Sequence, residues 1–173
     1  MPGWSTEIAN ELIRLGSKQG RAFDQMHLQK LVYIAHGWSL AITGEPLTGD
    51  RPEAWSVGPM YRRLADALAR QGTRPVTSFI DVPMALAAAQ PVSESETIPS
   101  DLEAIALDVL ERVTLNYGSL SPSQLSILTC GADAPWAAVY QSGKGQFREI
   151  SHSLIRDQFV RFAQTIGDGD DHG

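Results

Sequence analysis

The chain has 173 residues, of which 43% are hydrophobic and 20% charged, with a net charge of −6 and an isoelectric point near 5.1. These values fit one globular domain that buries its own core, and the acidic balance argues against sequence-independent nucleic-acid binding, which relies on many Lys and Arg contacts to phosphate. One cysteine, Cys130, excludes an internal disulfide, and no apolar run approaches the roughly 20 residues that span a bilayer, so a cytoplasmic protein without membrane contact is expected.

In chain order, Ile8, Leu12 and Leu15 follow helical spacing, with Ser5 or Thr6 as the N-cap and Gly16 as the stop. Asp24 caps a second helix on which Leu28, Leu31, Val32, Ala35, Trp38, Ser39 and Ile42 form one stripe, ended by Gly44 and Pro46. A second row, Gln29, Tyr33, His36 and Leu40, lies on another face, so this helix has neighbours on both sides or one neighbour and one partner. The run EAWSV, Glu53 to Val57, reads as a strand with Trp55 in phase with Glu53 and Val57 and seated on the Leu28 helix. Gly58 turns the chain and Pro59 opens the next helix, which carries Tyr61, Leu64, Ala65 and Leu68 and stops at Gly72.

The segment VTSFIDV is expected to pair with EAWSV, MALAAAQ to favour helix, and SESET to form an exposed acidic loop. Ser100 and Glu103 spell a capping box before the stripe Leu102, Ile105, Ala106, Val109 and Val113, which Gly118 ends. Ser121-Pro122 with Gln124 opens another helix, Asp133 and Pro135 a third with Trp136, Val139 and Tyr140, and Ser151 a last one with Leu154, Ile155, Phe159 and Phe162. GKGQ is a turn and REI a short strand. The expected fold is mainly α: a single compact domain of six to seven helices over residues 1–166, with a small two- to three-stranded β element and a flexible acidic tail at 167–173.

Catalytic patterns are weak. His27 and His36 are nine apart on one helix, and no pair has the i, i+4 or C-x-x-C spacing of a metal site. Cys130 stands near a helix end without a thiol-protease context, and GKGQ lacks the order of a phosphate loop. Tyr33, His36 and Asp66 could converge only if their helices pack suitably. No catalytic residue, cofactor or metal is therefore expected. Arg62, Arg63, Arg70 and Arg74 form one basic concentration, read as a solvated helix face or a docking patch. Of the four tryptophans, Trp38, Trp55 and Trp136 are expected in the core and Trp4 outside it.

The run LQKLVYIAHGWSLAITGEPL followed by EAWSVGPMY resembles the Panacea domain, the SocA-like antitoxin family, whose members include proteins described as phage-associated. The family pattern L-Q-K-L-x-Y falls on Leu28, Gln29, Lys30, Leu31 and Tyr33, and A-W-x-x-G-P on Ala54, Trp55, Gly58 and Pro59. An L-S-x-x-x-H element followed by P-W falls on Leu125, Ser126, Pro135 and Trp136, with Cys130 where the family carries histidine.

The resemblance implies an antitoxin that neutralises a cognate protein toxin by direct binding. Its candidate partner contacts are Gln29, Tyr33 and His36 and the Arg62/Arg63 face, with Gln29 and Tyr33 equally able to hold the fold by hydrogen bonding to the strand segment, while the other motif residues hold the fold. Alternative readings are an adaptor that delivers a toxin to a protease and a phage-encoded inhibitor of a host defence protein.

Overall fold

The computed structural model describes residues 3–80 and 104–169. Among these are seven α-helices and one hairpin: α1 Ser5–Lys18, α2 Gln25–Thr43, β1 Glu53–Trp55, β2 Gly58–Met60, α3 Arg62–Ala67, α4 Ala104–Tyr117, α5 Pro122–Thr129, α6 Pro135–Tyr140 and α7 His152–Gly169. The mainly helical single domain with a small β element is what the sequence predicts. MALAAAQ, SESET and the Ser100–Glu103 capping box lie outside the described residues.

Helix α2 is the axle. It contacts α1, α4, α5, α7 and β2, and its residues from Leu28 to Gly37 are all buried. A helix enclosed on all sides has no free polar face, so its second row faces protein. Both ends match the sequence signals: Asp24 Oδ1 accepts from the His27 N–H at 2.8 Å, and Gly44 adopts φ +76° as the left-handed cap. Gly37 lets α7 close on α2, because a Cβ there would sit 2.2 Å from the Phe159 ring.

Several local expectations change. Helix α1 runs through Gly16 to Lys18. Gly16 is needed for packing, since a Cβ there would lie 2.5 Å from the Phe23 ring. Val76, in VTSFIDV, bridges Phe23 rather than EAWSV. The partner of β1 is the chain just after it: Glu53 opposes Met60, Ala54 opposes Pro59 and Trp55 opposes Gly58.

Pro59 is thus a strand residue, and the helix starts three residues later and ends at Ala67 instead of Gly72. The strand tolerates this proline because its partner Ala54 directs both backbone groups the other way. Ala54 donates to the Arg148 carbonyl at 2.8 Å and accepts from the Phe147 N–H at 2.7 Å. With the antiparallel bridge between Glu53 and Glu149, the REI segment flanks the hairpin as a third extended piece.

Two other starts follow the sequence. Ser121 and Gln124 form the expected reciprocal capping box, and Ser151 Oγ accepts from the Leu154 N–H at the start of α7. Helix α7 then continues through Gly167 to Gly169.

Candidate functional site at the hairpin

Of the three α2 residues expected at a partner surface, Gln29, Tyr33 and His36, all are enclosed. Gln29 Nε2 donates to the Tyr61 carbonyl at 3.1 Å, and its Oε1 accepts from the Tyr61 N–H at 2.8 Å. This side chain acts as a one-residue strand that ties the end of β2 to α2. Tyr33 meets Phe159 edge-on at 6.3 Å; its hydroxyl has no hydrogen-bond partner among the described residues, and burial pushes its pKa up.

His36 Nδ1 accepts from the Leu47 N–H at 3.2 Å, with the Thr48 N–H at 3.4 Å. The neutral ring therefore carries its proton on Nε2. Burial and then the neighbouring His152, 4.9 Å away between ring centroids, push the His36 pKa down to about 3. With Nδ1 occupied as an acceptor and Nε2 protonated, this ring offers no lone pair to a metal. Among the described residues no group of three or more His, Cys, Asp or Glu could hold one. Asp66 is solvent-exposed on α3, whereas Tyr33 and His36 are enclosed.

The exposed chemistry lies on the outer side of the hairpin and at the start of α3. Ala54 is the inward residue of β1, and Glu53 and Trp55 face the rim. This phase is opposite to the one expected from the sequence. The register decides it: Ala54 alternates inward against the core, and Trp55 is half-buried outside it.

The Arg62 guanidinium stands 5.2 Å from the Trp55 ring and 5.4 Å from the Phe147 ring, and the two rings meet edge-on at 5.5 Å. Glu53 locks the group in place. Its carboxylate takes Arg62 Nε at 3.0 Å, Arg62 Nη2 at 2.8 Å and Trp55 Nε1 at 2.8 Å. Burial pulls the Glu53 pKa up, but the hydrogen bonds from Arg62 and Trp55 and the charge of Arg62 outweigh it and hold the carboxyl below its ordinary value. Next in sequence, Arg63 stacks over Trp4 at 4.0 Å.

Phe147 is 51% exposed and Trp4 46%. Phe147 also has φ +67°, a left-handed conformation that is uncommon for a bulky residue. The sequence reading missed Phe147 and Glu53 as members of this group; the only hint was an aromatic residue directly after a glycine-rich turn.

Beneath the hairpin, Trp136 Nε1 donates to the Trp55 carbonyl at 2.7 Å and its ring stacks on Tyr140 at 4.9 Å. Pro135 is buried at the first turn of α6. Gly58 has φ +119°, and a Cβ there would stand 2.7 Å from Cys130 Sγ.

Residues 28–137 match the family described as antitoxin SocA-like, Panacea domain. The chain belongs to this family. Over 155 residues it is 25% identical to Antitoxin SocA of Caulobacter vibrioides (strain NA1000 / CB15N), covering 88% of this chain and 80% of that protein. No solved structure matches the chain.

The Panacea match begins in α2 and ends within α6, so it contains the hairpin and α3. Its motif residues sort by position. Leu28 and Leu31 are core, Gln29 anchors Tyr61, Gly58 and Pro59 are buried in β2, and Trp136 supports the backbone at Trp55. Trp55 itself presents a ring to Arg62. No helix among the described residues is long and apolar enough to cross a membrane.

Proposed function

We propose that this Panacea-domain protein is a cytoplasmic antitoxin that neutralises a cognate protein toxin by direct binding. Its contact face is the Arg62–Trp55–Phe147 stack with the adjoining Arg63–Trp4 stack. The observation that carries the assignment of the face is the locked, outward-facing arginine between two aromatic rings.

Aromatic residues and Arg are enriched at protein interfaces, and Trp, Tyr and Arg dominate their energetics. Side chains already held in one arrangement lose less freedom on binding. Retaining an exposed phenylalanine at φ +67° costs backbone energy, which a contact made by its ring would offset. Buried Gln29 holds Tyr61, the residue before Arg62, from within.

Co-expression with the product of the adjacent gene tests the assignment of function. The expected outcome is co-purification of the pair and relief of growth arrest caused by that product. Growth arrest that persists, with no complex recovered, contradicts it.

A further inference from the structure

A cavity of about 450 Å³ opens between α2, α4 and α7, and none of the residues of the Arg62–Trp55–Phe147 stack lines it. Its floor is Val109 and Val113, both buried and one turn apart on α4. Trp38 and Tyr117 stand beside them and are clasped together, Trp38 Nε1 donating to the Tyr117 hydroxyl at 3.1 Å. Ile42, one turn beyond Trp38, and Ile166 on α7 complete the apolar lining, yet they are 65% and 63% exposed. Ile42 continues the α2 stripe that the sequence marks for the core, and the described residues leave it largely uncovered.

The polar groups of the lining are Arg112, Asn116 and the Tyr117 hydroxyl. Val109, Arg112, Val113 and Asn116 follow one another at steps of three, one and three, so the apolar floor and the polar groups share one side of α4. Arg112 Nε faces Asp108 Oδ2 at 2.9 Å. The Arg112 Nη groups and the Asn116 amide have no partner among the described residues. The Tyr117 oxygen already accepts from Trp38, which leaves its O–H to donate.

Size and polarity together decide the class of occupant. Small-molecule sites are clefts of about 300–1,000 Å³, mainly apolar, with a few polar groups that orient the ligand. A stable protein partner needs about 1,200–2,000 Å² of buried surface, far more than this cavity provides by itself. The unused hydrogen-bonding capacity is mostly donors around one cation, which calls for an anionic acceptor, and a guanidinium fork matches a carboxylate at two points. We infer that the cavity binds a medium-chain aliphatic carboxylate. Its chain lies on Val109, Val113, Ile42 and Ile166, and its carboxylate meets Arg112 and Asn116. This inference does not depend on the antitoxin assignment.

The test titrates the full chain with octanoate and, separately, with octanol, which has the same apolar body and no charge. The methyl resonances of Ile42, Ile166, Val109 and Val113 report binding. Octanoate is expected to shift them saturably at one site, with octanol bound about tenfold more weakly, the size of one hydrogen-bonded charge. Arg112→Gln, a change at an exposed side chain, is expected to cost octanoate about tenfold in affinity and to leave octanol unchanged.

Absence of saturable shifts at these methyls overturns the inference, as does octanol binding as tightly as octanoate. Unchanged octanoate affinity in folded Arg112→Gln overturns it too. Shifts at Ile42 and Ile166 that follow protein concentration and not octanoate identify a second copy of the chain as the occupant, and the inference then fails. Should Arg112→Gln not fold by circular dichroism, the comparison of octanoate with octanol on the native protein decides alone.

Discussion

The Gln29 side chain exchanges two hydrogen bonds with the backbone of Tyr61, at 3.1 and 2.8 Å, as a neighbouring strand would. Both partners are buried. Gln29→Leu keeps the bulk but leaves the Tyr61 N–H and carbonyl unpaired in the interior. Unsatisfied buried polar groups are penalised individually, so we predict a loss of about 2–4 kcal/mol in unfolding free energy. Urea denaturation measures the loss, and faster amide exchange at Tyr61 locates it.

Gly37 faces the ring of Phe159 where α2 and α7 cross. Gly37→Ala places a methyl group 2.2 Å from that ring, which is anchored by Tyr33, Trp38 and Phe162 around it. We predict a destabilisation of about 1–3 kcal/mol from overpacking, despite the better helix propensity of alanine. A Tm no lower than that of the parent would show that α7 is free to move away from α2.

His36 makes stability depend on pH. Its folded pKa of about 3 lies below the ordinary 6.5, so between those values the unfolded chain binds the extra proton. The contribution of the neutral ring is complete above about pH 6.5 and declines as pH falls towards about 3, by at most about 1.4 kcal/mol per unit. His36→Asn retains an acceptor near the Leu47 N–H but does not titrate. Unfolding free energy measured from about pH 4 to pH 7 should fall less steeply on acidification in this variant than in the parent. Parallel slopes would show that His36 is not buried as a neutral ring.

Trp55 separates support from contact. A fully enclosed tryptophan would cost about 3–5 kcal/mol on truncation to alanine. Trp55 is half-buried and only its carbonyl is tied to Trp136, so Trp55→Ala should cost about 1–2 kcal/mol from the smaller area removed from water. Thermal denaturation checks this. A loss of the larger size would place the ring in the core after all.

Much of the helical frame was legible, and for local reasons. Asp24, Gly44, Ser121 with Gln124, and Ser151 all act within three or four residues of themselves. What escaped was set at longer range. The two rows of α2 allowed either neighbours on both sides or one neighbour and one partner, and no local signal chose between them, because the helices that bury the second row come from both ends of the chain.

The hairpin was obscured because Gly58-Pro59 has the composition of a helix start. The third segment, which accepts and donates at Ala54 and so makes room for Pro59, lies some ninety residues downstream. The reversed phase of Trp55 follows from the same error. Phe147 and His152 were invisible as neighbours of Trp55 and His36 because no short-range periodicity links them.

The most direct test of the proposed contact face is the affinity of the adjacent gene product for the native protein and for Arg62→Ala and Phe147→Ala, measured by calorimetry with folding checked by Tm. Both side chains are exposed, so neither change should unfold the domain. We predict at least about a tenfold loss of affinity in each variant, as for interface anchor residues, with Tm little changed. Native affinity in both folded variants would contradict the assignment of the Arg62–Trp55–Phe147 stack as the toxin-binding face.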